Sequence, residues 1–460
     1  MATIEDGVET FAAGFGGIAL TAGDAGYDGA RAVWNGSFDR RPALIARCRT
    51  GNDVIEVVGF ARESGIPLAV RGGGHSLAGL SSCDDGIVLD LSLMREVVVN
   101  PASRSARVQP GATWAVYDAA TQAHGLASTG GLISSTGVAG LTLGGGIGWL
   151  MRRHGLACDN LTAADVVTAG GEVVRATTSA DAELLWGLRG GGGNFGVVTS
   201  FEFRVHPVGP IVGGLALFPL DRGEEVLRRY RTWAAELPDE FSTLAGVVTA
   251  PPAPFVPEDL VGRKAVAIVG CWCGDPDVGQ RALRPIRELN PAADVFDPMS
   301  YPVLQGMLDE GAPPGRRSYT RSGYVAELGD GLIDTVLEHG ERMPSPFSQI
   351  HFHQMGGAVA RVGEEDTAFG SRRAAYAYNV NSMWVDPSED EIHETANRDL
   401  ARALGPFSTG GVYVNFLGIE GEARVRAAYG DAKYERPARL KGAFDPQNLF
   451  RLNQNIRPAT

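Results

Sequence analysis

Runs of glycine constrain this chain more than any other feature. Three or four consecutive residues without a Cβ are costly inside a helix or strand, because glycine loses more backbone freedom on folding than any other residue. Such runs are kept where backbone must turn sharply or press close to another group. Here they stand at 72–74, 144–146 and 190–193. The chain holds 62 glycines, against about 32 at an ordinary usage of about 7%. Clustered in this way, they predict backbone in contact with something large.

The bulk numbers set the frame for that contact. A length of 460 residues exceeds the roughly 250–300 at which one core stops growing, so at least two packed lobes are expected. With 44% hydrophobic and 21% charged residues, the chain belongs with globular proteins and not with disordered or membrane ones. A formal charge of −13 repels phosphate backbones and anionic lipid, which argues against nucleic acid and membrane partners. The start MATIEDGVETFAAGFGG has no basic segment followed by an apolar one, and no long apolar run appears, so a cytoplasmic protein is expected. The sequence carries no signal of oligomeric state. Cys48, Cys83, Cys158, Cys271 and Cys273 are odd in number and form no C-x-x-C pair, which excludes a disulfide framework and a zinc site and leaves free thiols. Cys271 and Cys273 flank Trp272 with strand periodicity and are read as packing residues on one face.

Helix and strand signals alternate through residues 1–205. Val54, Val57, Val58 and Ala61 recur at helical spacing within DVIEVVGFARES, and Gly65 and Pro67 stop the helix. LAVRGGGH reads as strand then loop. GIVLDLS, REVVVN and SARVQPG read as short strands before a helix ATWAVYDAATQAHG, an α+β order and not a βαβ one. From about residue 206 the pattern changes to a helix EEVLRRYRTWAAEL, a strand KAVAIVGCWC, a helix around QRALRPIREL and a strand SQIHFHQM, taken as a second lobe. Proline- and glycine-rich stretches at 251–257 and 311–315 read as surface loops. A helix near 389–404, a strand VYVNF and a tail of short helix and packed loop complete the chain.

RGGGHS at 71–76 puts an arginine and four flexible backbone positions at a strand end, where N–H groups can converge on an anion such as a diphosphate. Taken alone, the loop is equally a tight turn. The serine invites a nucleophile-elbow reading, but GHSLAG has Ala78 where G-x-S-x-G needs glycine, which disfavours a serine hydrolase. GGGNFG at 191–196 satisfies G-x-G-x-x-G literally. It follows the helical DAELLWGLR and leads into the strand VVTSFEF, the reverse of a Rossmann turn, so that fold is not expected. What remains is three glycine loops across one domain, a length suited to a dinucleotide.

RGGGHSLAG, the run STGGLISSTGVAGLTLGGGIGWLMRRHGLACDNL, WGLRGGGGNFGVVTSFEF and the ending YERPARLKGAFDPQNLFRLNQNI together resemble the berberine-bridge-enzyme-like FAD-linked oxidases, of the vanillyl-alcohol-oxidase or PCMH type. The resemblance runs in order over nearly the whole chain. It implies an α+β fold. Residues 1–205 would form the FAD-binding domain of two α+β subdomains, 206–411 a substrate domain with an antiparallel sheet covered by helices, and 412–460 a segment returning to the FAD domain. FAD contacts are then implied at Arg71, Gly72, Gly73, Gly74, His75 and Ser76 in the first loop. In the middle segment they are implied at Gly130, Gly131, Ser135, Thr136, Gly137 and Gly140, and beyond these at Gly144, Gly145, Gly148 and Asn160. Gly196, Val198, Tyr413, Asn415 and Asn453 complete the set.

In that family the histidine after the first loop's glycines carries the flavin on its imidazole, which implies a covalent bond from His75. Read without the motif, such a histidine is a structural hydrogen bonder. Many members add a cysteinyl bond near the middle loop. Ile133 stands at that place here and Cys158 lies well beyond it, so a single covalent bond is expected. Thr136 aligns where relatives carry the residue that gates oxygen, although it could also be a loop threonine bonding its own backbone. YVNF at 413–416 matches a Tyr-x-Asn-Tyr pattern whose last tyrosine is a base in relatives. Phe416 cannot take a proton. Tyr413 and Asn415 would share one face of a strand. Replacement bases are sought in the substrate lobe, at Tyr376 and Tyr378 or at His351 and His353, each pair alternating onto one face, with a structural role as the rival reading. Glu364, Glu365 and Asp366 lie near an acidic residue used by some relatives. No third ligand accompanies the histidines, so no metal is expected.

The implied reaction passes hydride from a small alcohol, sugar, amine or polyketide-like phenolic to FAD, with reoxidation by dioxygen to peroxide. Alternatives are a dehydrogenase using another acceptor, an oxygenating flavoenzyme, and a nucleotide-binding protein without redox work.

Overall fold

The helix Gly51–Ser64 begins where local chemistry asks it to. Thr50 Oγ1 accepts from the Asp53 N–H, and the Asp53 carboxylate accepts in return from the Thr50 N–H, a capping box that pairs donors otherwise orphaned. Its apolar stripe of Val54, Val57, Val58 and Ala61 is fully buried, and Gly65 ends it at φ 70°. The computed structural model describes residues 4–459. Within it this helix crosses between two strands of the first sheet, Leu44–Arg47 and Leu68–Arg71, which both pair in parallel with Ile87–Asp90. The expectation of no βαβ unit fails here. Strands buried on both faces are continuously apolar, as in GIVLDL, and the short-strand pattern does not distinguish parallel from antiparallel neighbours.

A second sheet is wholly antiparallel, in the order Val97–Asn100, Ser105–Val108, Val197–Arg204, Leu161–Val167, Val173–Thr177. The loop carrying GGGNFG joins the helix Ala182–Leu188 to the strand Val197–Arg204, as its flanking residues predict.

The third sheet has eight antiparallel strands. Its central run is Ile211–Pro219, Lys264–Trp272, Phe241–Thr249, Gln349–Gln354, Tyr376–Trp384, Arg317–Val325. The helices Gly223–Glu236, Asp330–Glu341 and Asp390–Leu404 cover one face. The other face turns towards the glycine loops. A single helix around 280–289 is not formed: Pro285 lacks an N–H and crowds the preceding turn, and the chain makes Pro276–Ala282 and then Arg284–Arg287. All five cysteines are free and buried, with Cys271 and Cys273 in one apolar cluster.

The C-terminal helix Asp431–Phe444 packs on Ala182–Leu188, and the chain beyond it runs along the 193–194 loop. VYVNF is not a strand. Val414–Phe416 forms one 3-10 turn, which an alternating aromatic pattern does not reveal. No helix among the described residues is long and apolar enough to cross a membrane.

Candidate active site

A cavity of about 1580 Å³ opens between the glycine loops and the uncovered face of the third sheet. Sites for one drug-sized ligand span roughly 300–1,000 Å³, so this one has room for two molecules side by side. Gly72, Gly73, Gly74, His75 and Ser76 line it, as do Thr136, Gly137 and Gly140 from the middle segment. Gly196, Val198, Tyr413, Asn415 and Asn453 line it as well.

The first and middle loops touch through glycine alone. A Cβ on Gly73 would lie 2.5 Å from Gly137 N, and one on Gly137 would lie 2.5 Å from Gly73 N. That contact sets His75 beside the middle segment, with Ser135 Oγ 3.3 Å from its Nε2. Trp34 stacks on the imidazole with centroids 5.5 Å apart. Burial pushes His75 down to about 4, against the pull of Asp309 and the Ser135 backbone. The ring is therefore neutral at pH 7, with a nitrogen lone pair available as a nucleophile. Asp309 is itself held by Ser134 N at 2.8 Å and Ser134 Oγ at 2.5 Å. Neither Trp34 nor Asp309 carries any signal in the sequence, since both come from segments remote from the loop.

Several residues expected at the cofactor do not line the cavity. Arg71 turns to Asp90, which it meets at 2.8 Å. Ser135 reaches the cavity only by way of His75. Gly130 and Gly148 pack on one another, a Cβ at Gly148 falling 1.8 Å from Gly130 O. Gly131 backs onto Leu141, Gly144 onto Asn415 and Gly145 onto Phe369. Asn160 is a staple: its amide donates to His154 O and Leu156 O, and its carbonyl meets His206 Nε2 at 2.7 Å. These five glycines serve protein packing, a role that clustering alone does not separate from ligand contact.

Tyr376 and Tyr378 also fall on the wrong side. They alternate together, as predicted, but onto the helix-covered face, buried beside Tyr230 and Phe352. The cavity face of the same strand carries Asn379, Asn381 and Met383. His351 and His353 do face the cavity, their rings 5.9 Å apart and edge to face. Burial holds both imidazoles low, His351 at about 4 and His353 at about 3, the latter also by repulsion from His351. His353 packs on Phe416 at 5.5 Å, and Phe416 on Tyr413 at 4.8 Å. His353 Nε2 and Asn379 Oδ1 are buried without a hydrogen-bond partner. Among the described residues no three acidic, histidine or cysteine side chains gather as a metal site. The stretches read as surface loops, at 251–257 and 311–315, are irregular and largely exposed as expected, and they also contribute Pro251, Pro254, Phe255, Gly311 and Ala312 to the cavity wall.

The cavity suits a dinucleotide on its glycine side. At Gly140 and Gly193 a Cβ would meet only open space, so a side chain there would occupy the cavity. Asn453, which donates to Gly193 O and Phe450 O, keeps a buried carbonyl oxygen unpaired at the same wall. The sequence agrees. Residues 42–177 match the family model of the FAD binding domain, and residues 412–457 match that of berberine and berberine-like proteins. An uncharacterized FAD-linked oxidoreductase of Bacillus subtilis is 30% identical over 96% of this chain and 97% of its own. The chain belongs to the berberine-bridge-enzyme-like FAD-linked oxidoreductases. Another such relative, (R)-6-hydroxynicotine oxidase of Paenarthrobacter nicotinovorans, is 29% identical over 95% of both chains. The crystal structure of 6-hydroxy-D-nicotine oxidase from Arthrobacter nicotinovorans superposes with a TM-score of 0.86 at 26% identity, covering 97% of this chain and 98% of that one. A chitooligosaccharide oxidase shares the fold, with a TM-score of 0.86 at 21% identity. This berberine-bridge-enzyme-like protein is thus an FAD-linked oxidoreductase of mixed α/β architecture.

Proposed function

We propose that the protein is an oxidase that takes hydride from a C–H bond next to an O–H or N–H of a small organic substrate, with FAD held covalently on His75 and no cysteinyl bond. Bound FAD would accept the hydride and return the electrons to dioxygen as hydrogen peroxide. The chain's own residues have three tasks. His75, neutral and fixed between Trp34 and Ser135, would hold the cofactor through its imidazole. Gly72–Gly74, Gly137, Gly140, Gly196 and Asn453 would bind along it. His353 would take the substrate's O–H or N–H proton at Nε2 as the hydride leaves and that proton turns strongly acidic, the condition under which an imidazole held at about 3 can accept it.

The observation that carries this reading is the pairing of Phe416 with His353. Phe416 has no proton to exchange, and the ring against it is a neutral imidazole with a buried, unpartnered nitrogen facing the cavity. Asn379 Oδ1, an unpaired acceptor on the same sheet face, and the neighbouring His351 would orient the substrate's polar group. Thr136 lines the cavity, and no group among the described residues hydrogen-bonds its hydroxyl, which leaves it free to meet dioxygen.

The experiment is intact mass and visible spectrum after acid denaturation, for the parent protein and His75→Ala, followed by oxygen uptake and peroxide release for the parent and His353→Gln. The expected result is a yellow precipitate heavier by one FAD, lost in His75→Ala. In His353→Gln, kcat should fall by roughly 10²–10⁴ with the flavin retained. Colour that stays wholly in the supernatant of the parent protein would remove the covalent bond. Turnover without oxygen uptake would make the protein a dehydrogenase.

A further inference from the structure

The cavity is larger than a small polar substrate needs, and its two halves differ in chemistry. Strand alternation carries one face of the third sheet into it, and the register puts the residues of that face side by side. Leu215 pairs with Val269 and Leu217 with Ala267, while Leu244 lies opposite Val269 on the next strand. With Val248 these six side chains form a continuous apolar floor. The following strand changes character abruptly. Leu244 pairs with His353, the next position brings His351 and then Asn379, and Asn381 follows.

The lining that adjoins the floor is apolar too. Met299, Met307 and Leu308 pack in the same cluster as Leu217, Leu244 and Val269 and line the cavity, as does the proline-rich 251–255 segment ending in Phe255. Among the lining residues the full charges are Glu310, exposed, and Arg316, whose guanidinium stacks on the Phe347 ring at 3.7 Å. Thr249, the polar side chain at the end of this floor, already receives Lys264 Nζ at 3.0 Å. The strand backbones are paired with one another. A sugar ring laid on the floor would find no partners for its hydroxyls, and burying hydroxyls unpaired is unfavourable. An apolar body loses nothing by it.

We propose that the substrate is amphipathic: a hydroxyl or amino head oxidised at the His351–His353–Asn379 end, and an extended apolar body lying on the Leu215–Val269–Leu244 floor. This names the substrate class of the site and rests on the reading of His353 as the proton acceptor at its polar end.

Binding tests it independently of turnover. The flavin-containing protein is titrated calorimetrically with phenol, 4-ethylphenol, 4-butylphenol and 4-hexylphenol, and with xylotriose. Each methylene that reaches the floor should lower Kd about three- to fourfold. Leu215→Gln and Val248→Gln, at positions half-buried and open to the cavity, should flatten that ladder while leaving phenol within twofold of the parent. Retained flavin absorbance certifies the fold of each variant, and either variant alone suffices. A flat ladder in the parent, a ladder unchanged in the folded variants, or xylotriose binding more tightly than 4-butylphenol each overturns the proposal. A steep ladder together with unimpaired turnover in His353→Gln leaves the substrate class standing and removes only the proton acceptor.

Discussion

The hydroxyl of Tyr413 accepts from Gly146 N at 2.8 Å, Ile147 N at 3.2 Å and Asn415 Nδ2 at 2.8 Å, deep in the interior. Burial pushes it up to about 12, although each of those hydrogen bonds pulls it down. It is therefore a poor base and a good clamp on the 144–147 turn. Tyr413→Phe would leave two backbone N–H groups and one of the two Asn415 amide hydrogens without an acceptor, the other staying on Leu141 O, at about 1–3 kcal/mol for each buried group. A loss of at least about 3 kcal/mol in urea denaturation is expected, and an unchanged midpoint would show that water replaces the hydroxyl. Tyr378→Phe should leave kcat/KM within about twofold, because its ring sits under the helices and not in the cavity. Alternation was legible in YAYNVNSMW, but the choice of face was not. Both faces of that strand are buried, one by helices and one by cavity walls, so hydrophobicity gives no sign of which is which.

At the scale of elements, what positions the site is loop against loop. Gly73 and Gly137 meet backbone to backbone, so a methyl on either must move one loop away from the other. Gly137→Ala, with φ of −69° and hence no dihedral penalty of its own, isolates that steric effect. Purified Gly137→Ala should carry less than about a tenth of the parent's covalent flavin while keeping its far-ultraviolet circular dichroism; full loading would mean the contact is slack. The returning tail depends on one buried ion pair. Lys441 Nζ lies 2.6 Å from Asp445 Oδ2, with both side chains fully buried, and it also donates to Asn194 O and Phe450 O. Lys441→Met strands the Asp445 charge, and removal of one partner of such a pair costs about 3–5 kcal/mol. Weaker flavin retention should accompany the fall in stability, since Asn453 hangs from the same turn. The glycine runs were readable because close backbone approach leaves a compositional trace. The 3-10 turn at Val414–Phe416 leaves none, because Tyr-x-Asn-Phe alternates as well as any strand; it is fixed by partners remote in sequence, His353 against Phe416, Phe369 against the flanking Tyr413, and Leu141 O on the Asn415 amide.

Across the whole molecule, buried neutral imidazoles set the response to acid. His154 and His206 stack at 4.0 Å, and burial holds them at about 3 and about 4. His351 and His353 sit at about 4 and about 3 for the same reason. In the unfolded chain all four titrate near 6.5. Between about pH 6.5 and 4 the unfolded state therefore binds protons that the folded state refuses, and stability falls as pH falls through that window. Asp118 opposes this. Burial raises it to about 7, partly offset by its hydrogen bond from Gln305, so the folded state binds a proton there that an unfolded aspartate has released. These four imidazoles, joined by His75 at about 4 as long as its ring carries no flavin, outnumber the one carboxyl and leave the histidine sign in control. The exposed, paired carboxylates Asp24, Asp39 and Asp330 are pulled below 3.8 and act only in stronger acid. Each group contributes at most about 1.4 kcal/mol per pH unit, so unfolding free energy should drop by at least about 2 kcal/mol from pH 7 to 5. His206→Asn should shallow that slope, since it removes one of the four imidazoles. Asp118→Asn should steepen it by removing the single opposing group. Denaturant titrations at pH 7, 6 and 5 read all three slopes. A parent protein whose midpoint holds or rises down to pH 5 would mean that the imidazoles take up protons in the folded state, and that the sheet face bearing His351 and His353 is wetter than its packing implies.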